Sequence, residues 1–240
     1  MEVKGGLSGG SVSSALNLIE AFPAKELVDS YKPFALSPSR PAKRIAQPQV
    51  VYDDRFGGWL GPWPMGATNA AVVCRTYGLL GGRWGDKFSY KEYMYWGSWL
   101  YARAAQFGLV VLAPLLMIPP VRWLARKFAP SSGDGPDEDT MKNGKFTMKI
   151  IAKAEGGETG SITISSNTDA AYLLTGTISN SVSDLAMMVV ESGLTLATEI
   201  EKTEIGNLLK ERSLLLTPSL MGETLRDRLE KGGLHFSLDI

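Results

Sequence analysis

The residue types that could support catalysis are few in this sequence and stand far apart. Residues 6–10 read G-x-S-x-G with Ser8 at the centre, and His235 lies near the other end of the chain. An acid such as Asp169 or Asp184 between them would complete the chain order of an α/β-hydrolase triad. Such a serine follows a central strand, and only six residues other than the initiator methionine precede Ser8. We therefore interpret this pentapeptide as a glycine-rich turn that caps a helix.

The same turn could still contact an anion. Backbone N–H groups at a helix N-terminus bind phosphate or carboxylate groups, and Ser8, Gly9, Gly10 and Ser11 stand at the start of a predicted helix. A dinucleotide fingerprint is missing from the sequence, because the Gly-Asp-Gly run at 133–135 continues into Pro-Asp-Glu, and no Walker A motif occurs. We therefore predict no cofactor-binding residues in this chain.

The other reactive side chains have simpler explanations. Cys74 and His235 could form a thiol dyad, but Cys74 lies in the apolar run AAVVCR, where a free cysteine is usually a small core residue. The acidic run 137–139 could chelate a cation, although such a run in a loop is normally only solvated. Arg75 and Arg83 are candidates for anion contacts, with surface ion pairs as the simpler interpretation. No metal site is predicted.

Composition argues against several classes of function. The chain balances 25 basic against 25 acidic residues and shows no basic stripe with interleaved aromatic residues, which argues against a nucleic-acid partner. One cysteine excludes an internal disulfide framework and a Cys-based zinc site, and one histidine excludes a His-rich metal site. The N-terminus has neither a basic n-region nor an apolar h-region. We therefore predict an intracellular protein that is not secreted.

The elements that would position these residues begin with a loosely patterned N-terminal half. We predict that 8–21 is a glycine-rich turn running into a short helix that ends at Pro23. An extended Pro-rich linker over 31–49, a helix over 69–77 and a turn over 81–86 follow.

The C-terminal half alternates strand and helix patterns. Residues 145–153 and 161–165 have period two and predict a β-hairpin. One helix is predicted over 180–199, and another begins at Thr217 and ends at Gly232 before a final alternating strand. These patterns predict an α+β fold in which a mixed sheet carries packed helices. The predicted buried stripe of the first helix is Val182, Leu185, Ala186, Val189, Gly193 and Ala197.

The most distinctive stretch is the apolar segment 93–128. Residues 104–118 carry no charge, Arg103 precedes them, and three cations follow within 122–127. Aromatic residues crowd one flank and Trp123 stands on the other, a pattern typical of a membrane interface. The residues predicted to face a membrane are Trp96, Trp99, Phe107, Leu109, Val110, Leu112, Leu115, Leu116 and Trp123.

Length limits that interpretation. The uncharged run 104–118 reaches roughly 22 Å as a helix, less than the roughly 30 Å hydrocarbon core. Pro114, Pro119 and Pro120 also disfavour one straight helix. Three arrangements stay open: a segment in the interface or a shallow re-entrant hairpin, a buried helix of a soluble or oligomeric protein, and a short span that borrows residues 93–102.

Several motifs, taken in order, resemble one family. They are GGLSGGSVSSALNLIE, GPWPMGATNAAVVCRTYGLLGGRWGDKFSYKEYM, the apolar segment ending PPVRWLARKFAPSSGDGPDEDTMKNGKF, the ESGLTLA helix and LLTPSLMGETLRDRLEKGGLHFSL. Over residues 5–240 the chain is similar to the saccharopine dehydrogenase-like oxidoreductases, which include the trans-acting enoyl reductases and lipid-droplet-associated members. The most specific pieces are the Gly-Pro-Asp-Glu turn and the closing segment.

The resemblance implies an oxidoreductase that acts on a lipid-like or enoyl substrate with NAD(P). Family members carry a further N-terminal Rossmann domain, and this chain resembles the part that follows it. We therefore expect that the chain binds no NAD(P) alone, is inactive alone, and works with a Rossmann domain in cis or in trans. By the same resemblance, the turn at 8–11 would border the substrate cleft. No motif identifies the catalytic residues.

Two further hypotheses on function stay open beside the oxidoreductase. The alternative function is a non-enzymatic membrane or lipid-droplet module, and a homo-oligomer in which the apolar segment packs is a third hypothesis. We expect association with a membrane or lipid-droplet surface inside the cell.

The chain is expected to consist of four parts. They are 1–90, on the substrate side, with the linker 31–49; 91–128, the apolar helical segment; 129–144, an acidic loop; and 145–240, a C-terminal α+β part.

Overall fold

The computed structural model describes residues 2–3, 9–43, 45–129, 131, 146–154, 159–166, 184–206, 215–232 and 234–239. The chain divides into two compact units, one made of Met1–Val12 with Pro130–Ile240 and the other of Ser13–Ala129. Both units combine helices with antiparallel strands, so the predicted α+β class is confirmed. The expected four-part division of the chain stays a prediction.

Helices and short strands follow one another along the described residues. In chain order they are β1 (Glu2–Val3), α1 (Gly9–Ala21), α2 (Ala24–Ser30), β2 (Val51–Asp53), β3 (Gly58–Pro62), α3 (Gly66–Leu79), β4 (Tyr93–Gly97), α4 (Trp99–Phe107), a π-helical turn (Gly108–Leu112), α5 (Ala113–Leu115), α6 (Pro119–Phe128), β5 (Phe146–Lys153), β6 (Thr159–Ser166), α7 (Asp184–Thr198), two 3₁₀ turns (Ile200–Lys202 and Pro218–Met221), α8 (Gly222–Lys231) and β7 (His235–Asp239).

The sheet of the unit Ser13–Ala129 has the order β2–β3–β4, and both pairs are antiparallel. Two glycines of β3 face aromatic rings of β4. A Cβ on Gly58 would lie 2.7 Å from Cε2 of Tyr95, and a Cβ on Gly61 would lie 2.8 Å from Cδ1 of Trp96. The rings fill the space that side chains would need, so the sheet requires glycine at both positions. Because glycine has low strand propensity, the sequence pattern does not predict β3.

Helix α3 supplies much of the core of the same unit. The predicted helix over 69–77 is confirmed and extends over Gly66–Leu79. Cys74 is fully buried and Tyr77 nearly so. The ring of Tyr77 stacks on that of Phe88, with 4.9 Å between the ring centroids. The apolar face of this helix is therefore matched by neighbours inside the unit.

The Pro-rich linker 31–49 packs on α3. Its described residues contain turns but neither helix nor strand. The guanidinium of Arg75 donates to the carbonyl of Leu36. A Cβ on Gly78 would lie 2.7 Å from Cδ of Pro38, so the linker lies directly against the helix backbone.

The other unit contains the predicted hairpin. Strands β5 and β6 pair in antiparallel register, and β6 pairs with β7, which confirms the hairpin and the final strand. Directly opposed residues share one face of a sheet. Ile150 of β5 therefore shares a face of the sheet with its opposed partner Ile162 of β6.

Helix α7 packs on α8 through a polar face. Thr195 is fully buried there. Arg228 of α8 donates to the carboxylate of Glu191 at 2.7 Å and to that of Glu199 at 3.0 Å. These hydrogen bonds raise the pKa of Arg228, and hydrogen bonds from Lys202 and Arg228 lower the pKa of Glu199. The ion pairs therefore fix which side of α7 faces α8.

That orientation corrects the predicted buried stripe of α7. Val189 is 62% exposed, and Gly193 and Ala197 are also exposed, so the prediction is wrong at these three positions. The physical reason is that Arg228 holds the opposite side of the helix against α8. Val182 lies outside the described residues, and the side chains of Leu185 and Ala186 are not described.

Helix α1 ends at Ala21, before Pro23, as predicted, and a second helix, α2, follows Pro23. One stretch of the unit Ser13–Ala129 differs from prediction. Tyr93–Gly97, predicted as part of the helical segment 91–128, is the strand β4, because it pairs with β3. The predicted acidic loop 129–144 lies outside the described residues except at positions 129 and 131.

Candidate functional site

The apolar segment folds as two helical stretches separated by prolines. Helix α4, the π-helical turn and α5 run without interruption, and α6 begins at Pro119. Pro114 lies in α5 and has no N–H to donate to the preceding turn. The π-helical turn stands directly before α5. Pro119 and Pro120 occupy the first positions of α6, where a missing N–H costs little. The prolines thus set where one helix ends and the next begins.

Helix α4 keeps one face inside its unit and one outside. Ala102 is fully buried, and a Cβ on Gly61 of β3 would lie 3.1 Å from the Cβ of Ala102. Trp99, Arg103 and Phe107 are exposed and follow one another at intervals of four residues. Residues at this spacing lie on one side of a helix. The packing of Ala102 against β3 therefore turns the large apolar side chains of α4 outward.

Helix α6 also has an exposed apolar side, although none of its residues is fully buried. Trp123, Leu124, Lys127 and Phe128 are exposed, and their spacing places them on one side of the helix. Phe128 is 79% exposed, the highest exposure among the large apolar residues described.

Hydrogen bonds to α1 hold the N-terminal part of this unit against α6. The Nη2 atom of Arg126 donates to Oδ1 of Asn17 at 2.9 Å and to Oε2 of Glu20 at 2.5 Å. Both acceptors lie on α1. Arg126 therefore joins α6 to the rest of its unit, unlike the neighbouring apolar residues.

We call the exposed apolar residues of these elements the α4–α6 surface. Eleven large apolar side chains of the described residues are exposed along this stretch of the chain, and contiguous exposed apolar side chains mark sites of protein or membrane contact. The residues of this surface are Trp99, Leu100, Tyr101, Phe107, Leu109, Val110, Leu115, Ile118, Trp123, Leu124 and Phe128.

Every charged residue in the segment 93–131 is positive. The segment contains no Asp or Glu. The guanidinium of Arg103 lies 5.8 Å from the ring centroid of Trp99, and the ammonium of Lys127 lies 5.8 Å from that of Trp123. Both distances suit cation–π attraction. The four cations of the segment are Arg103, Arg122, Arg126 and Lys127.

The residues predicted to face a membrane fall into three groups. Leu116 is half-buried, and the side chain of Leu112 is not described. The ring of Trp96 lies against Gly61, and its buried indole N–H has no acceptor among the described residues. Trp96 thus packs inside the unit. The exposed members of the set are Trp99, Phe107, Leu109, Val110, Leu115 and Trp123.

None of the helices within the described ranges is both long enough and apolar enough to cross a bilayer.

The residues considered for reactivity in the sequence lie on different elements where they are described. Ser8 lies outside the described residues, Gly9 and Gly10 open α1, and Ser11 follows them in the same helix. Burial raises the pKa of the Cys74 thiol to about 11, which disfavours the nucleophilic thiolate. His235 is exposed on β7.

The acidic residues considered as ligands or triad members have no described side chain. The acidic run 137–139 and Asp169 lie outside the described ranges, and the side chain of Asp184 is not described. In the part of the chain that the structure describes, no group of three or more His, Cys, Asp or Glu side chains could hold a metal ion.

Sequence reasoning missed a polar network beside β4. The hydroxyl of Tyr90 donates to Oε1 of Glu92 at 2.6 Å, and the amide of Asn69 donates to Oε2 of Glu92 at 2.8 Å. Burial, followed by the hydrogen bond to Glu92, raises the pKa of Tyr90. The alternating run SYKEY, residues 89–93, was the signal that could have revealed it.

A second branch of this network ties the linker to β4. The ammonium of Lys91 donates to the carbonyl of Pro48 at 2.6 Å, and the hydroxyl of Tyr93 donates to the same carbonyl at 2.7 Å. Burial lowers the pKa of Lys91 and raises that of Tyr93 to about 12. Both side chains donate to protein carbonyls, so we interpret this branch as a structural clamp.

Comparison with known proteins gives one group of relatives. The chain is 27% identical over 255 residues to a protein provisionally named trans-acting enoyl reductase in Mycobacterium tuberculosis H37Rv, covering 96% of this chain and 56% of the relative. It is 27% identical over 248 residues to a trans-acting enoyl reductase of Mycobacterium bovis BCG Pasteur, covering 95% of this chain and 55% of the relative. No family model matches the chain. No solved structure matches it either.

These matches support the enoyl reductase part of the resemblance seen in the sequence. The chain spans about half the length of the curated relatives it matches. Along nearly all of its own length, it is similar to proteins named trans-acting enoyl reductases.

Proposed function

We propose that this chain is the substrate-side part of an enoyl reductase-like oxidoreductase that acts on a lipid-like substrate with NAD(P). The observation that carries the proposal is similarity along 96% of the chain to a relative named for that activity. An enoyl reduction adds a hydride to one carbon of a C=C bond conjugated with a carbonyl and a proton to the other carbon. A reduced nicotinamide would supply the hydride.

In this proposal the nucleotide site lies outside these residues. The sequence has no dinucleotide fingerprint, and nearly half of each curated relative has no counterpart in the match. A Rossmann domain, in cis or in trans, would bind NAD(P)H. The chain alone would bind no nucleotide and reduce no substrate.

The first experiment measures NADPH binding to the purified chain by fluorescence titration. We expect no detectable binding, because no phosphate-binding loop is present in the sequence. A micromolar dissociation constant would overturn the proposal that the nucleotide site lies outside these residues.

The second experiment tests whether the chain supports enoyl reduction when a nucleotide-binding part is supplied in trans. The chain is mixed with the part of the Mycobacterium tuberculosis relative that lies outside the match, and NADPH consumption is followed with a long-chain 2-enoyl thioester. We expect consumption in the mixture but not with either component alone. The intact relative is the positive control, and the saturated thioester is the negative control. Failure of the mixture under conditions where the intact relative is active would count against the proposal.

A second function, a membrane or lipid-droplet module without catalysis, is favoured by the α4–α6 surface. Large apolar residues on α4 and α6 are exposed beside cations, and Val110 and Trp123 are each 65% exposed. Amphipathic helices with basic and aromatic residues lie in the interface with their apolar face among the lipids. The surface would hold the chain where lipid-like substrates partition, so this function is compatible with the first.

Flotation with liposomes tests this module. We expect the wild type to float and a Val110→Asp/Trp123→Asp double variant to remain in the dense fraction, because a charge among apolar lipid contacts costs a few kcal/mol. The matched control is Val28→Asp, since Val28 is exposed on α2 of the same unit. Equal flotation of the double variant and the wild type would exclude this surface as the anchor. A homo-oligomer through the same surface stays a prediction, which sedimentation velocity without lipid would test.

A further inference from the structure

We propose that the α4–α6 surface docks on an anionic lipid headgroup layer in preference to a neutral one. This inference rests on the membrane-associating function proposed above and adds the chemistry of the lipid. It follows from how charge is distributed around the exposed apolar residues.

The positive charge of this surface is local. The whole chain has as many basic as acidic residues, whereas 93–131 contains four cations and no acid. A protein without net charge can still present a patch of one sign, and that patch orients it towards the opposite charge. The segment that exposes the apolar side chains is therefore also the segment that an anionic layer attracts.

The four cations differ in the partners that the described residues give them. Arg126 pairs with Glu20 on α1, and Arg122 donates to the carbonyls of Leu116 and Met117. Within the described part of the chain, Arg103 donates to the amide oxygen of Gln106 at 2.9 Å, and Lys127 has only the ring of Trp123 as a partner. Neither Arg103 nor Lys127 is therefore neutralised by a described acid.

These two cations lie among the exposed apolar residues. Arg103 stands between Trp99 and Phe107 on the outward side of α4, and Lys127 stands between Trp123 and Phe128 on α6. Long cationic side chains can place their stems in apolar surroundings and their charged heads at the level of the phosphates. Shallow insertion of the rings would bring both cations to the level of the phosphates. Anionic headgroups there would strengthen binding several-fold for each cation.

The test measures flotation with phosphatidylcholine vesicles and with vesicles that also contain phosphatidylglycerol, each at low and high salt. We expect at least tenfold stronger binding to the anionic vesicles at low salt, and a smaller preference at high salt because salt screens exposed charges. An Arg103→Gln/Lys127→Gln variant should lose roughly tenfold or more in binding to anionic vesicles and should bind neutral vesicles as the wild type does.

The matched control is Lys25→Gln/Lys43→Gln, which removes the same charge from exposed positions elsewhere in the unit. We expect it to keep the anionic preference. Equal binding of the wild type to both vesicle types would overturn the inference but leave the membrane function standing. Binding to neither would overturn both. An equal loss in the control variant would also overturn the inference, because net charge rather than this surface would then explain the preference. Thermal unfolding of each variant verifies that it is folded.

Discussion

Helix α3 and the α4–α6 surface belong to the same unit, yet they treat their apolar residues in opposite ways. Helix α3 turns Cys74 and Tyr77 inward, and the rings of Phe34 in the linker and of Phe88 contact that of Tyr77. Helices α4 and α6 turn Trp99, Phe107 and Trp123 outward. Apolar content alone therefore does not tell which helix belongs to the core.

The difference lies in which residues face the neighbouring backbone. On α3, Gly78 lets the linker approach closely. On α4, the small side chain of Ala102 faces β3, whereas Trp99 and Phe107 are left outside. Large side chains buried against partners stabilise the fold, whereas exposed ones are available for binding. Substitutions in the two regions should therefore have different effects on stability.

The largest effect is expected from removing the central ring of α3. Tyr77→Ala should lower the free energy of unfolding by about 3–5 kcal/mol, because it deletes a buried aromatic side chain and leaves a cavity. Phe107→Ala removes a ring that is 65% exposed and should change stability by less than about 0.5 kcal/mol. Urea unfolding of both variants measures the contrast, and comparable losses would contradict it.

Alkaline pH should destabilise the α3 core through Cys74. Burial raises the pKa of the folded thiol to about 11 from its ordinary value of 9.0. The unfolded chain therefore loses this proton first, so the stability contributed by the buried thiol is full below pH 9 and is lost between pH 9 and 11, by ~2–3 kcal/mol in all. Urea unfolding across this range measures the slope. Cys74→Ala should make it shallower, and an unchanged slope would show that the thiol does not contribute.

A smaller effect is expected at Gly78. Gly78→Ala should cost about 1–3 kcal/mol, because the new methyl group would push against the hydroxyl of Ser37 and the ring of Pro38. Gly193→Ala is the matched control, since it also lies inside a helix but has no atom within 4 Å of an added Cβ. It should stabilise the protein by up to about 1 kcal/mol through helix propensity. Changes of the same sign would contradict the packing seen at the linker.

The strongly patterned parts of the fold could be predicted from the sequence. The period-two strands β5 and β6 and the apolar helix α3 follow local patterns, and all three are found. Strand β3 could not be predicted, because its glycines are required by the rings of Tyr95 and Trp96, which lie more than thirty residues away. The inner face of α7 could not be predicted either, since Arg228 on another helix selects it.

The apolar segment shows a similar limit. Its aromatic rims and cations are visible in the sequence, but the exposure of each ring depends on the sheet beneath α4. Trp96 and Trp99 are only three residues apart, yet Trp96 packs on Gly61 while Trp99 is exposed. The strand–helix boundary at Ser98 separates them, and its hydroxyl accepts the N–H of Tyr101 to begin α4.

Amide hydrogen exchange with and without phosphatidylglycerol-containing vesicles tests most directly whether the α4–α6 surface contacts lipid. We predict slower exchange of amides within 99–128 when vesicles are added, and unchanged exchange in α3. Unchanged exchange within 99–128, or protection confined to other parts of the chain, would contradict the assignment of the α4–α6 surface as the lipid contact.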